Sequence, residues 1–257
     1  MSIITLLTDS GHGDHYVAAI KARIMTINPT ITIVDISHNI APGDIAHAAF
    51  LLNSVFRDFP VGTVHLVGVN SIGNRDDAFI ALQLENHFFV GVDNGFFGLI
   101  SEKNHQEAVQ LNSLHLVITS FPEKVIFAAA AAELASGTNI NTLGKPMTSC
   151  KKLIPRHLRQ TSRSISGNVL RVDWYGNLIT NISQMAFETL QGDRSFTIKF
   201  GGRKSTQIHK QYFEAERGEY FLIFNSLGLL EIGMYKSHAS SLLGLDYDSQ
   251  VNIVFDG

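Results

Sequence analysis

The sequence is poor in cysteine and has neither an N-terminal basic segment nor a long apolar run near its start. It has 1 Cys among 257 residues, Cys150, which excludes an intrachain disulfide and any metal site built from several cysteines. A single free thiol suits a reducing compartment, so we expect a cytoplasmic protein. The apolar stretch at the N-terminus is interrupted at Thr8 and Asp9, so we expect no signal peptide.

The balance of charge and hydrophobicity excludes further classes of protein. The chain has 20 Lys and Arg against 23 Asp and Glu, and the basic residues do not form a block, so we expect no nucleic-acid partner. No apolar run approaches the ~20 residues of a membrane-spanning helix, so we expect no membrane partner. A content of 45% hydrophobic and 17% charged residues excludes a disordered chain.

The first 150 residues alternate between apolar runs and helical patterns. Apolar residues at spacings of three and four, such as Ile20, Ile24 and Ile27, predict a helix after the first run. Such alternation is typical of an α/β domain with a largely parallel sheet, which we assign to residues 1–150. The predicted strands are residues 3–7, 31–36, 63–69, 79–84, 88–92 and 115–119, and residues 85–87 are expected to join the fourth and fifth strands as a hairpin.

The pattern changes after residue 150. Residues 151–164 are basic and polar, and we assign them to a linker. Beyond the linker we find strand patterns and no convincing helix, and Phe196–Phe200 alternates apolar and polar residues most clearly. Residues 165–257 are therefore predicted to form a smaller all-β domain.

Asp9 lies at the carboxyl end of the first predicted strand, which leads into a helix. In open α/β sheets, ligands bind outside the carboxyl ends of the strands. A carboxylate at this place can accept two hydrogen bonds from the vicinal hydroxyls of a ribose. The same residues also suit an Asx-turn, in which Asp9 only ties down its own loop. Both interpretations stay open at this point.

The segment Gly11–His15 contains side chains of the kind that bind zinc. His-x-Asp-His is part of a metallo-hydrolase signature, but Ser10 replaces the earlier histidine of that signature. In the alternative interpretation, Asp14 caps the following helix, and His12 and His15 are exposed loop residues. We expect no metal and no other cofactor, and we keep a zinc hydrolase as the less favoured alternative.

Three further segments combine turn signals with polar side chains: Val69–Arg75, Val92–Gly95 and Asp173–Asn181. Asn and Gly favour tight turns, so each segment taken alone is most simply a turn. Asp, Asn and Thr side chains crowd the third segment, in a region otherwise suited to a sheet. Buried polar groups need partners, and a ligand is one such partner.

Seven blocks match one family of proteins in collinear order and cover nearly the whole chain. They are Thr5–Gly11 with Asp14, Tyr16, Val17 and Lys21; Asn28–Pro29; Val34–His38 with Ile40; Phe59–His65; Val92–Gly95; Asp173–Asn181; and Asn225–Ile232. These blocks resemble the S-adenosylmethionine (SAM) hydroxide adenosyltransferases, which are relatives of the SAM-dependent fluorinase and chlorinase.

The resemblance implies an α/β N-terminal domain, a β-barrel-like C-terminal domain and a homotrimer. SAM or adenosine would be the small-molecule partner, bound between the N-terminal domain of one subunit and the C-terminal domain of its neighbour. Asp9 would hold the ribose diol, and Asp173 and Asn177 would contact the methionine amine and the adenine. Asn225 and Ser226 would lie near the methionine end. The remaining candidate ligand-binding residues are Ser71, Asp93 and Asn94.

The resemblance also implies a reaction at C5′ of SAM. Water or hydroxide displaces methionine and leaves adenosine, so the nucleophile must be held in line with the C5′–S bond. The family activates water with an Asp, an Arg and a His. Here Asn70 replaces the Asp and Pro122 replaces the His, while Arg75 is retained. Neither replacement can accept a proton at neutral pH, and a general base typically contributes ~10²–10⁴ in rate.

Three alternatives could compensate for the missing Asp and His. Asp76 or Asp77, beside Arg75, could supply the missing carboxylate. His12 could reach the pocket from the loop after Asp9. A halide could replace water, in a small dry pocket whose candidate lining residues are Ser71, Gly73 and Asn74.

The resemblance favours a SAM hydrolase that forms adenosine and methionine. The catalytic candidates are Arg75, Asn70 as a degenerate position, and Asp76. The nearest alternative is a degenerate member of the family that binds SAM or adenosine without turnover.

Overall fold

The chain divides into two compact units, Met1–Ile154 and Pro155–Gly257. The computed structural model describes residues 2–72, 77–101, 103–111, 119–154 and 156–256. Within these ranges, none of the helices is long and apolar enough to cross a membrane.

A seven-stranded mixed sheet forms the first unit. Its strands are β1 (Ile3–Thr8), β2 (Thr32–Ser37), β3 (Val64–Gly68), β4 (Phe79–Leu84), β5 (His87–Val92), β6 (Glu107–Leu111) and β7 (Gly144–Pro146). Their order is β2-β1-β3-β5-β4-β6-β7. The β1–β2, β1–β3 and β3–β5 pairs are parallel, and the β5–β4, β4–β6 and β6–β7 pairs are antiparallel. The predicted parallel arrangement therefore holds for only half of the sheet.

The β4–β5 hairpin is the reason for the change of direction. Glu85 and Asn86 form its two-residue turn, and both have positive φ, 50° and 63°. Two consecutive positive φ angles give a turn whose twist suits a tight antiparallel hairpin. The hairpin prediction is confirmed. Of the predicted strand 115–119, residues 115–118 lie outside the described part of the chain.

Helices pack on both faces of this sheet. Successive side chains along a strand point to opposite faces, and apolar side chains are buried on both. The helices are α1 (Tyr16–Ile27), α2 (Ile45–Val55), α3 (Phe97–Ile100) and α4 (Ala128–Ala135), with a π-helical turn at Glu123–Phe127 directly before α4. Leu6 belongs to the core with α1 and α4. Its neighbour Leu7 belongs to the core with α2 and α3.

The two acidic residues near the helix starts behave differently. Asp44 Oδ1 accepts a hydrogen bond from the backbone N–H of His47 at 3.0 Å and so caps α2. The interpretation of Asp14 as a cap is wrong, because α1 begins at Tyr16 and its preceding residue makes no side-chain cap.

The order of strands reverses at β1. The chain passes from β1 to β2 on one side and returns to β3 on the other side of β1. In open α/β sheets, the crevice beyond the carboxyl ends of the strands at such a reversal is where ligands bind. The ends of β1 and β3 are therefore the place to look for a site in this unit.

The second unit is an antiparallel sheet of eight strands. They are β8 (Arg159–Thr161), β9 (Ser164–Val172), β10 (Leu178–Ser183), β11 (Phe196–Phe200), β12 (Arg203–Ser205), β13 (Tyr220–Phe224), β14 (Leu229–Met234) and β15 (Gln250–Phe255). The main order runs β12-β11-β15-β9-β10-β14-β13, and β8 pairs with β9. The sheet curls, since the Tyr220 hydroxyl on β13 donates to the carbonyl of Lys204 on β12 at 3.1 Å.

The expectation that this unit lacks helices is wrong. It contains α5 (Gln184–Gln191) and α6 (Ala239–Leu243). Both helices are short, and α5 buries a single side chain, Phe187. With eight and five residues, both helices are shorter than the window of about 11–18 residues over which a helical period is read from sequence.

Among the buried polar side chains of the first unit, Thr5, His65 and His87 form one connected row. Thr5 Oγ1 lies 2.7 Å from His65 Nδ1, and His65 Nε2 lies 3.3 Å from His87 Nδ1. Burial lowers the pKa of His65 to about 3, with a further contribution from His87. Burial also lowers the pKa of His87. Both imidazoles are therefore neutral in the folded protein at neutral pH.

This histidine pair is expected to destabilise the protein in acid. An unfolded His binds a proton near pH 6.5 and folded His65 only near 3, so between these values the unfolded state binds more protons. The free energy of unfolding should fall as the pH is lowered from 6.5 towards 3, by up to about 1.4 kcal/mol per pH unit for His65. Urea titrations at several pH values measure this slope.

The variant His65→Asn tests the assignment, because it keeps a polar atom near Thr5 and removes the titrating ring. Its slope below pH 6.5 should be shallower than that of the wild type. His157 is exposed, so His157→Asn is the matched control and should leave the slope unchanged. Equal slopes in wild type and His65→Asn would contradict the prediction.

Candidate functional site

Asp9 joins three loops at the reversal point of the first sheet. It follows β1 directly, and its Oδ2 accepts hydrogen bonds from the backbone N–H of Gly43 at 2.8 Å and of Asn70 at 3.0 Å. Its own N–H donates to the carbonyl of Gly68 at 3.1 Å. Among the residues that the structure describes, none donates a hydrogen bond to the other carboxylate oxygen, Oδ1. Asp9 thus holds its loops with one oxygen and has the other available for a ligand.

Asn70 completes this arrangement at the end of β3. Its φ of 50° is in the left-handed region, which Asn tolerates better than most residues. This conformation accompanies the hydrogen bond from its N–H to Asp9. Asn94 lies beside it, because the Asn94 amide donates to the carbonyl of Val69 at 3.2 Å.

The carboxylate of Asp93 has a hydrogen-bond partner outside this arrangement. Asp93 is 6% exposed, and its Oδ1 accepts a hydrogen bond from the backbone N–H of Lys151 at 2.8 Å. Burial raises the pKa of the Asp93 carboxyl, and the Lys151 N–H partly opposes that effect. The geometry ties this carboxylate to the 151 segment, whereas Asn94 reaches the end of β3.

The retained Arg75 and the candidate substitutes for the lost catalytic groups are only partly described. Arg75 and Asp76, together with Gly73 and Asn74, lie outside the described residues. Asp77 is described, and its carboxylate forms an ion pair with the ammonium of Lys151.

The histidines of the Gly11–His15 segment do not converge on one point. His12 is exposed and packs edge-on against His38, at 5.2 Å between ring centroids. His15 stacks on Tyr16 at 4.5 Å. Across the described ranges, no three His, Cys, Asp or Glu side chains are grouped so that they could hold a metal ion.

In the first unit, the structure adds an acidic residue that was not among the sequence candidates, Glu123. It is the first residue of the π-helical turn before α4, and it is only 9% exposed. Its side chain lies over Gly68, the last residue of β3: a Cβ on Gly68 would be 2.9 Å from Glu123 Cγ and 3.1 Å from Thr8 Cγ2. A glycine at this position therefore allows the carboxyl to lie at the carboxyl ends of β1 and β3.

Glu123 and Ser71 face each other in this crevice. Burial raises the pKa of the Glu123 carboxyl, and the Asp9 carboxylate raises it further, while its own backbone N–H and the Ser71 hydroxyl act in the opposite direction. Ser71 is 4% exposed. Its hydroxyl has no hydrogen bond of normal geometry within the described part of the chain.

A cavity of about 590 Å³ lies in the second unit. Its lining residues are Asp173, Tyr175, Asn177, Tyr212, Phe221, Glu231, Met234, Tyr235, Lys236 and Ser237. The turn at its edge is fixed by Asp173, whose Oδ1 accepts a hydrogen bond from the N–H of Asn177 at 2.8 Å. The tyrosines of the lining offer faces against which a planar ring could pack.

Glu231 lies at the centre of the polar groups of this cavity. Its two carboxylate oxygens accept hydrogen bonds from the amides of Asn177 at 2.9 Å and Asn225 at 3.1 Å. Burial raises the pKa of Glu231 and also that of Tyr212, whose pKa the Glu231 carboxylate raises further. The signal for Glu231 in the sequence was a lone acidic residue inside the apolar strand β14.

The structure brings together most, but not all, of the ligand-binding residues proposed for the second unit. Asp173 and Asn177 line the cavity, and Asn225 reaches it through Glu231. Ser226 is exposed in the turn that follows β13 and is not among the lining residues.

Comparison with known proteins covers both units. The family model of the SAM hydroxide adenosyltransferase N-terminal domain matches residues 4–144, and that of the C-terminal domain matches residues 167–252. The chain is 28% identical to an (R)-S-adenosyl-L-methionine hydrolase of Methanocaldococcus jannaschii, over 99% of this chain and 97% of that protein. It is 26% identical to a fluorinase of an Actinoplanes species, over 72% of this chain and 73% of that protein.

A solved structure has the same fold. The crystal structure of an uncharacterized conserved protein from Thermotoga maritima superimposes with a TM-score of 0.87 at 28% identity, covering 98% of this chain and 99% of that one.

Proposed function

Because the chain belongs to the SAM hydroxide adenosyltransferase family, we propose that it hydrolyses SAM to adenosine and methionine. The observation that carries the proposal is the carboxylate of Asp9. It lies where the strand order reverses, and its Oδ1 has no hydrogen-bond donor among the described residues. A ribose diol offers two O–H donors to such an oxygen, and a charged acceptor makes these hydrogen bonds strong.

The reaction needs little from the protein beyond position. The sulfonium leaves as a neutral thioether, so no acid has to protonate it. Water has to be held in line with the C5′–S bond, and an ordered site that fixes both reactants reduces the entropic cost of the displacement. Holding the ribose by its diol restricts the sugar and therefore C5′.

We extend the proposal to the second unit and to the assembly. The cavity there, lined by Asp173, Asn177 and three tyrosines, would bind the methionine and adenine parts of SAM. In this proposal the protein is a homotrimer, with the first unit of one subunit and the second unit of its neighbour contributing to each site. A cytoplasmic location, inferred from the single cysteine, is part of the same proposal.

One observation favours a second candidate function, binding without turnover. Position 70 carries an amide, and Pro122 is buried at the start of the π-helical turn with no side-chain donor or acceptor. Neither residue can take a proton from water. The protein would then bind SAM or adenosine as a ligand and release it unchanged.

Incubation with SAM separates the two candidates. We expect adenosine and methionine to form in equal amounts, measured by chromatography, with each sulfonium epimer tested because the relatives are named for the (R) form. Calorimetry with SAM and with adenosine measures binding independently. Binding without products would support the second candidate, and absence of both would contradict both.

A further inference from the structure

The carboxyl of Glu123 is buried, and burying a charged carboxylate costs free energy unless a partner compensates for the lost hydration. In the part of the chain that the structure describes, no Lys, Arg or His forms an ion pair with Glu123. The charged group that acts on it is Asp9, which is also acidic.

A structural role explains part of this placement. A carboxylate in the first turn of a helix is stabilised by the free backbone N–H groups. That benefit is also available to an exposed side chain, and Glu123 is instead turned inward over Gly68. The helix start therefore does not account for the burial.

The Ser71 hydroxyl is a second sign of a ligand at this place. It is 4% exposed and makes no hydrogen bond of normal geometry among the residues described, although it lies near enough to the Glu123 carboxyl to lower its pKa. A buried hydroxyl left unpaired is costly, and such groups in folded proteins are usually satisfied by water or a ligand. The atom that would satisfy Ser71 lies next to Glu123, which can accept a proton or hydrogen bond from the same molecule.

The space between Ser71 and Glu123 adjoins Asp9, whose Oδ1 is the oxygen proposed to bind the ribose. Ser71 follows Asn70, whose N–H binds Asp9, and Asp9 and Glu123 are close enough for their charges to interact. A water molecule held by Ser71 and Glu123 would therefore lie beside a nucleoside whose diol is bound to Asp9. Asn70 and Pro122 offer no base there.

We propose that Glu123 is the general base of this enzyme, accepting the proton of the water that attacks C5′ of SAM while Ser71 positions that water. The inference rests on the proposed SAM hydrolysis. The water oxygen forms the bond to C5′ as the C5′–S bond breaks, and the electron pair of that bond stays on sulfur. Methionine leaves as a neutral thioether, and the proton passes from water to Glu123 and then to solvent.

The variant Glu123→Gln tests the role, since it keeps the volume and removes the basic oxygen. We expect kcat to fall by ~10²–10⁴, the usual contribution of a general base. SAM affinity by calorimetry should stay within about threefold of the wild type, because Asp9 and not Glu123 is assigned to the ribose. Glu133 is exposed on α4, so Glu133→Gln is the matched control and should retain full turnover.

The pH profile gives a readout that a structural role would not change. The wild-type kcat/KM should decrease as the pH falls through the pKa of Glu123, which burial holds above its ordinary value of 4.5. This acidic limb should be absent in Glu123→Gln. If that variant does not fold, a wild-type rate that is constant down to pH 4.5 overturns the proposal by itself.

The outcomes separate this inference from the proposed function. Turnover by wild type and Glu123→Gln at equal rates overturns the role of Glu123 and leaves SAM hydrolysis standing. Loss of SAM binding in Glu123→Gln also overturns it, because the residue would then hold the ligand. A wild type that forms no adenosine overturns both.

Discussion

Replacing Asp9 by Asn should weaken SAM and adenosine binding by about 100-fold or more while leaving the fold intact. The amide oxygen of Asn can still accept the hydrogen bonds from the N–H groups of Gly43 and Asn70 that Oδ2 accepts now. The amide nitrogen then replaces Oδ1 and is a donor, so it cannot accept from the ribose hydroxyls. Calorimetry with adenosine measures the loss directly.

Two comparisons make this result specific. Asp58 is an exposed carboxylate of the same unit, and Asp58→Asn should bind adenosine as the wild type does. Asp9→Ala should lose affinity and also stability, because the N–H groups of Gly43 and Asn70 are left without their acceptor. If Asp9→Asn bound adenosine normally, Asp9 would serve only to hold the loops of Gly43 and Asn70, and the ribose assignment would be wrong.

The site in the first unit shows how far sequence reasoning reaches. A carboxylate after the first strand could be identified, because apolar runs mark strand ends and ligands bind beyond them. That one oxygen of Asp9 holds two distant loops while the other receives no donor among the described residues could not be read from spacing. It depends on where the loops of Gly43 and Asn70 come to lie, 34 and 61 residues further along the chain.

Glu123 was missed for a related physical reason. In the sequence it begins an alanine-rich helix, where an acidic residue is expected and needs no further explanation. Its burial arises because Gly68, on a strand 55 residues earlier, leaves the space that a Cβ would fill. No local pattern connects these two residues, and only the packed structure does.

Two features of the fold could not be predicted from the sequence, and the reasons are opposite: the mixed direction of the first sheet, and the helices of the second unit. The hairpin at Glu85 and Asn86 follows from local signals, but the antiparallel addition of β6 and β7 depends on pairing between segments that are distant in the sequence. Helices α5 and α6 are too short to show periodicity, and α5 is defined by its Ser183 cap, whose hydroxyl accepts from the N–H of Ala186 at 3.2 Å.

The cavity of the second unit depends on a glycine in β14. A Cβ on Gly233 would lie 2.0 Å from Phe221 Cζ and 2.6 Å from Asn177 Oδ1, far inside van der Waals contact. Asn177 donates to Glu231, so displacing its amide would disturb the polar centre of the cavity. The absence of a side chain at position 233 therefore keeps Phe221, Asn177 and Glu231 in their places.

Gly233→Ala should accordingly destabilise the protein by about 3 kcal/mol, at the upper end of the cost of overpacking. The backbone itself is not the cause, because Gly233 does not have the positive φ that would make alanine strained. Urea denaturation measures the change in the free energy of unfolding. Gly13 also lacks a positive φ and has no atom within 4 Å of its Cβ position, so Gly13→Ala should change stability little.

A double-mutant cycle identifies the steric contact as the cause. Phe221→Leu removes the ring atom that lies 2.0 Å from the new Cβ, at the cost of a smaller side chain in the cavity wall. If the clash with the ring dominates, the double variant should be less destabilised than the sum of the two single variants, by at least about 1 kcal/mol. Additive effects would instead assign the loss to the contact with Asn177, and adenosine affinity should then fall both in Gly233→Ala and in the double variant.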